Sequence, residues 1–235
     1  MTSDSNMNNP DREANMDTTG SGSDDNTTKI DSDMLSAAVR AIKSGELVVY
    51  PTETVYGLGV DALNPDAIKR VFDTKGRTYD NPLSLAVESV SAVARHTNPS
   101  ERAMQFIKAF LPGPVTVIVE CSTAVPDILT AGRDRVGIRI PDHHVALSLL
   151  ERAAPTPITA TSANQSGTGS IVDTNMLAQS IQQNVAVVLE AGETTGTEST
   201  VVDPTRNIIH RRGAMADAVI AWLSDVSGTR PTIES

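Results

Sequence analysis

Six short polar clusters carry most of the chemistry open to this chain. They are PTETVYGLG at 51–59, KGRTYDNPL at 75–83, RDRVGIRIP at 133–141, ATSANQSG at 160–167, ESTVVD at 198–203 and HRRG at 210–213. Each lies at the edge of an expected strand or loop, where an α/β fold places binding groups. Together they supply Lys75, Arg77, Arg133, Arg135, Arg139, Arg211 and Arg212. The chain as a whole is acidic, with a formal net charge of -10. Cations gathered into loop-edge motifs of an acidic chain suit an anionic ligand, because a guanidinium holds phosphate or carboxylate through two parallel hydrogen bonds. Covalent catalysis has little support. The four histidines, His96, His143, His144 and His210, lie outside the clusters or at the edge of one, so no Ser-His-Asp set is indicated. The single cysteine, Cys121, excludes an intramolecular disulfide framework and any multi-cysteine metal site.

Two familiar nucleotide signatures fail. Gly57-Leu58-Gly59-Val60-Asp61-Ala62 matches G-x-G-x-x-A, but a dinucleotide turn needs its glycines at the strand end and opening a helix. Here the glycines come well after the strand ending at Tyr50, and the next helix waits for Pro65. No G-x-x-x-x-G-K-[ST] segment is present.

The clusters need a scaffold, and the sequence alternates helical and strand patterns that provide one. Asp31-Ser32-Asp33 can cap a helix with Leu35, Val39 and Ile42 on one face, stopped at Gly45. Strand Glu46–Tyr50 follows, then a helix from Pro65 burying Ile68, Val71 and Phe72. Further strands are expected at 83–87, 115–120, 136–140, 157–160, 185–190, 199–203 and 207–210. Helices are expected at 89–96, 99–111, 143–152, 173–183 and 214–224. With 39% hydrophobic but only 3% aromatic residues, the core must be built of Val, Ile, Leu and Ala. The expected organisation is one α/β domain over 34–224, a mixed sheet with flanking helices, and a C-terminal tail at 225–235. Residues 1–33 carry eight acidic and two basic side chains with few apolar ones, and read as a disordered acidic tail. No apolar stretch reaches membrane-spanning length, and the N-terminus lacks a basic region followed by an apolar one. A cytoplasmic protein is expected.

The motifs, taken in order, resemble the YrdC-like family of L-threonylcarbamoyladenylate synthases. PTET with YGLG, K-x-R followed by N-P-L, SAN, EST and a final R-x-G cover roughly 34–224, in the short, single-domain form of the family. The resemblance implies a twisted sheet around a concave, positively charged cavity. It also implies a reaction joining L-threonine, bicarbonate and ATP to give threonylcarbamoyl-AMP and pyrophosphate. Carried over by motif, Lys75, Arg77 and Asn81 meet the ATP phosphates, Lys75 and Arg77 as the catalytic cations. Arg135, Ser162, Asn164, Ser170 and Arg211 also bind ATP. Thr54, Arg139, Ala160 and Ser199 hold threonine, Arg139 taking its carboxylate, while Glu53 and Tyr56 shape the wall. Magnesium accompanies ATP on the triphosphate, with no protein metal site. The implied partners are a downstream threonylcarbamoyl transfer complex acting on adenosine 37 of tRNA, and at most a weak contact with tRNA itself.

The chain departs from the family pattern in four places. Thr78 follows Arg77 where many members have proline, Ala86 stands where some have histidine, ATSAN replaces A-P-SAN, and Arg212 replaces the proline of R-P-G. None removes a phosphate-binding cation. Two other readings stay open on the residues: a double-stranded RNA or tRNA-binding module, and a carbamoyl-transfer domain with another acceptor. The acidic balance opposes the first.

Overall fold

A computed structural model describes residues 31–234. Residues 1–30 of the expected acidic tail lie outside the described residues. Helix α1 (Ser32–Lys43) already includes the end of that segment, because the Asp31 carboxylate accepts from the Asp33 amide and caps it. Strand β1 (Leu47–Tyr50) and strand β2 (Gly57–Gly59) follow, then helix α2 (Pro65–Lys75), with Asn64 as its cap and Pro65 in its first turn. Next come β3 (Ser84–Ala86), α3 (Val90–Val93), α4 (Glu101–Phe110), β4 (Val115–Glu120), α5 (Asp127–Thr130), β5 (Arg135–Arg139), α6 (His144–Ala153) and β6 (Ile158–Ser162). The chain continues with α7 (Gln179–Gln182), β7 (Val185–Val188), β8 (Thr200–Asp203), β9 (Ile208–Arg211), α8 (Ala216–Ser227) and β10 (Thr232–Ile233).

The strands form one mixed sheet in the order β10-β9-β8-β4-β5-β3-β6-β2-β1-β7. One face buries Leu47, Val49, Leu58, Leu85, Val117, Ile138 and Val202 against α2, α4 and their neighbours. The other face buries Val48, Tyr50, Ala86 and Ile158 under α1 and α6, through Leu35, Ala38, Ile42, Val145 and Leu149. Those two helices cover only part of their face. The uncovered remainder, centred on β3, β5 and β4, is the floor of a cavity.

Four expectations need correction. The helix at 89–96 shrinks to α3, after which the chain turns and pairs Thr97 with Cys121. The helix at 173–183 breaks into a 3-10 turn at Thr174–Met176 and the short α7, with Leu177 extended between them. Asp173 caps the 3-10 turn through the Asn175 amide, a local bond that Asx residues prefer to continuous helix. β2 was hidden by its two glycines, which are poor strand formers. It forms because Tyr50, paired in register with Gly57, lays its ring where a Cβ would stand. The expected C-terminal tail contains regular structure. α8 runs on to Ser227, Gly228 stops it in a left-handed turn, and Thr232–Ile233 pair with β9.

Candidate active site

Strand alternation selects which side chains see the cavity. In Arg135-Val136-Gly137-Ile138-Arg139 the even positions enter the apolar core, and Arg135, Gly137 and Arg139 face the cavity. By the same alternation β4 presents Thr116 and Ile118, β3 presents Ser84 and Ala86, and β6 presents Ala160 and Ser162. Cross-strand register places Gly137 beside both Ser84 and Ile118, and Ala160 beside Ser84. The cavity measures about 790 Å³. Gly137 keeps its floor open: a Cβ there would lie 2.3 Å from Ser84 Oγ and 2.9 Å from Thr116 Cγ2. The lining holds six arginines (77, 133, 135, 139, 206, 211) against the carboxylates Asp134, Glu198, Asp203 and Glu234.

At one end sits Arg139, 9% exposed. Its Nη2 donates to Glu53 Oε1 at 3.0 Å and to Thr54 Oγ1, and lies 3.5 Å from Thr52 Oγ1. The PTET turn is built by Thr52. Its hydroxyl donates to Val55 O at 2.6 Å and accepts from the Thr54 and Val55 amides. Thr52 therefore folds the turn and accepts from the Thr54 hydroxyl at 2.9 Å, turning that oxygen to accept from Arg139. Residues 189–199 run from β7, at the sheet edge, back to β8. On the way Thr195 and Gly196 bond to the Glu53 and Thr54 carbonyls and hold the turn in place. Tyr56 does not shape the wall as expected. It is buried in the opposite core, and its hydroxyl donates to Gly192 O at 2.7 Å, anchoring that crossing segment.

At the other end Arg77 is fixed by Asn81 O and Oδ1 and by Pro82 O, at 2.7–2.8 Å. Arg211 donates to Glu198 Oε2 at 2.6 Å, and to Ser199 O and Oγ at 3.1 Å. Ser199 Oγ also meets Thr116 Oγ1 at 2.9 Å, linking Arg211 to the part of the floor beside Arg139. Gly213 lets the HRRG segment close against this site, since a Cβ there would lie 2.2 Å from Glu198 O. Desolvation, then the Arg211 charge, lowers the pKa of Arg77. Desolvation lowers that of Arg211, with Glu198 opposing and Arg139 adding to the shift. A guanidinium stays charged under these conditions, so both shifts report chiefly the cost of burying the charge, which a bound anion would offset.

Lys75 lies beneath this end rather than in it. It is 2% exposed, and its ammonium donates to the carbonyls of Ser162 and Asn164, the latter at 2.6 Å. Burial, followed by the Arg77 charge, pushes its pKa down to about 8. Asn164 is also turned inward. It accepts from Ser162 Oγ and donates to Thr168 O at 2.7 Å, closing the SAN loop on itself. Ser170 meets the site through Glu198, donating to Oε1 at 2.6 Å.

Of the twelve expected site residues, Arg77, Asn81, Arg135, Arg139, Ala160, Ser162, Ser199 and Arg211 line the cavity. Thr54, Lys75, Asn164 and Ser170 stand one hydrogen bond behind it. Ala86, where a histidine was noted as absent, pairs in register with Arg139 and lines the same end. Three neighbours had no role assigned by motif. Asp203, 1% exposed, takes Arg135 Nη2 at 2.8 Å. His210 and Glu234, 2.5 Å apart, line the far rim, the latter brought there by β10. The Val-Val-Asp run hinted at Asp203 through alternation alone. Nothing in the sequence placed Glu234 beside His210. Among the described residues no group of three His, Cys, Asp or Glu could hold a metal ion, and no helix is long and apolar enough to cross a membrane.

A mixed sheet floored with small residues and ringed by arginines defines a pocket for small anionic molecules. The chain belongs to the Sua5/YciO/YrdC family, whose model, described as telomere recombination, matches residues 40–213. It is 42% identical over 168 residues to a threonylcarbamoyl-AMP synthase of Pyrococcus abyssi, a match covering 70% of this chain and 48% of that one. It is 40% identical over 171 residues to the threonylcarbamoyl-AMP synthase of Bacillus subtilis, covering 72% and 49%. A crystal structure of P. abyssi Sua5 complexed with L-threonine matches with a TM-score of 0.78 at 37% identity, covering 86% of this chain and 58% of that chain. The chain thus spans about half the length of these curated relatives.

Proposed function

We propose that this chain joins L-threonine, bicarbonate and ATP into L-threonylcarbamoyladenylate and releases pyrophosphate. The observation that carries this reading is a single cavity with two unlike cationic ends. One is buried and hydroxyl-rich around Arg139, the other open around Arg77, with Arg211 reaching the floor between them through Ser199 and Thr116. The first suits a small carboxylate, the second a polyphosphate. The names of the relatives point the same way.

In this reading Arg139 takes the threonine carboxylate, held from behind by Thr54, with Ala160 and Ser199 along the pocket. Arg77, Asn81, Arg135, Ser162 and Arg211 face the nucleotide. Lys75 and Asn164 serve it from below by setting the SAN loop, and Lys75 adds its charge there. Ser170 acts through Glu198. Threonine gives up its ammonium proton to solvent, and the free amine condenses with bicarbonate to a carbamate, losing water. A carbamate oxygen then attacks the α-phosphorus as the bond to pyrophosphate breaks. The chain's part is to align the reactants and stabilise phosphate charge, with no covalent intermediate. Magnesium arrives on the triphosphate. The product is a reactive mixed anhydride, consumed by a separate threonylcarbamoyl transfer complex acting on tRNA in the cytoplasm. The acidic chain makes at most a weak contact with the tRNA.

The test is pyrophosphate release by the purified chain. Release that requires threonine, bicarbonate and ATP together is expected. Release indifferent to threonine would sink the proposal, and release driven by carbamoyl phosphate in place of threonine would favour another acceptor.

A further inference from the structure

We infer that Glu53 receives the substrate's ammonium group, so that Arg139 and Glu53 together read the zwitterionic head of a free α-amino acid. The inference rests on the synthase reading and adds to it a residue that sets substrate class. Three observations carry it. Glu53 and Arg139 form a mostly buried ion pair at 3.0 Å, their side chains 17% and 11% exposed. The pair leaves one buried polar atom on each side without a partner, Glu53 Oε2 and Arg139 Nε. Such atoms are costly to bury unpaired, and a ligand supplying one acceptor and one donor side by side would satisfy both. An α-amino acid carries both groups on one carbon, and Thr52 and Val55, on either side of Glu53 and Thr54 in the turn, line the same cavity as Arg139.

The third observation is how rigidly the pair is framed. Thr54 holds Arg139, Thr52 folds the turn, and Thr195 holds the Glu53 carbonyl at 2.9 Å. Two fixed opposite charges favour a zwitterion over a simple anion. The Glu53 carboxylate would repel a phosphate or a carboxylic acid lacking the amine. This separates the Arg139 end from the Arg77 end, where the cations exceed the carboxylates in contact with them.

Calorimetric titration of the full chain, without ATP, tests the role. The ligands are L-threonine and 3-hydroxybutyrate, which lacks the amine. Wild type should bind threonine and discriminate strongly against 3-hydroxybutyrate. Glu53→Gln should bind threonine about 10- to 100-fold more weakly, the range for a hydrogen bond to a charged group, while its affinity for 3-hydroxybutyrate holds or rises. Glu53→Asp, which keeps the charge, should retain the discrimination with reduced affinity, and serves if the glutamine variant folds poorly. Threonine binding unchanged or tightened in Glu53→Gln would overturn the inference, leaving Glu53 as an internal partner of Arg139. So would an equal loss for both ligands. A wild-type chain that binds no threonine would instead sink the synthase reading, and this inference with it.

Discussion

Arg139 is buried and already bonded to Glu53 and Thr54, whereas Arg211, in the same cavity, is 45% exposed and braced by Glu198. The first is a site whose shape and partners are set before a ligand arrives. Burial strengthens its interactions but makes every unpaired atom costly, so it can be selective for a small ligand. The second keeps its guanidiniums partly solvated, under mutual repulsion from Arg77. It can grip a large, flexible polyanion whose charge relieves that repulsion. Selectivity is concentrated where the charge is buried and balanced. Capacity for charge is concentrated where it is exposed and in excess.

The largest effect expected from breaking this contrast is at the buried end. Arg139→Ala strands Glu53 without its counter-charge, which costs on the order of 3–5 kcal/mol. A thermal melt should fall by roughly 10 °C, at a few degrees per kcal/mol for a chain of this size. Threonine-dependent pyrophosphate release should fall more than about 100-fold, as loss of a charge-assisted contact predicts. Next comes the floor joining the two ends. Gly137→Ala forces Ser84 and Thr116 to move, costing roughly 1–3 kcal/mol. Because the floor is common to both ends, steady-state kinetics should show KM rising for threonine and ATP alike, unlike any change confined to one end.

A subtler effect belongs to Lys75, beneath the open end. Its pKa is depressed to about 8, so the free enzyme carries the ammonium below that pH and loses it above. kcat/KM for ATP should therefore be highest below pH 8 and fall as pH rises through it, approaching tenfold per unit. A bound triphosphate favours the charged form, so the same limb in kcat should lie at higher pH. The corresponding profile for threonine binding should lack the limb. The smallest effect is expected at Arg212, next in sequence to Arg211 but paired with Asp217 in solvent, their side chains 52% and 94% exposed. Arg212→Ala should change stability by less than about 0.5 kcal/mol and leave both KM values alone, a control that only position in the cavity matters.

These ends were unequally legible in the sequence. The arginines of strand β5 could be read because a period-2 pattern shows which residues leave the core, and β5 pairs directly with β3 and β4. The open end was legible as a sum of clusters, K-x-R-x-x-x-N-P and HRRG, each on a strand or helix edge. What stayed hidden depends on chain crossings rather than local pattern. β2 has too little intrinsic preference to announce itself and exists through the Tyr50 ring. The crossing segment 189–199 that secures the PTET turn, and the β10 strand that delivers Glu234 to the rim, reflect contacts between residues far apart in sequence. Lys75 was expected to face the ligand, yet its ammonium is held by two carbonyls. A lysine at a helix C-terminus, followed by a left-handed glycine, looks the same in sequence whether it points out or under.

The separate identities of the two ends are tested most directly by measuring binding of ATP and of L-threonine, one at a time, to wild type, Arg77→Ala and Arg139→Ala. Arg77→Ala should lose about 10- to 100-fold in ATP affinity and keep its affinity for threonine. Arg139→Ala should lose threonine and retain ATP. A result in which either variant loses both ligands to the same degree, or in which the losses are exchanged, would contradict the account of two distinct ends serving one reaction.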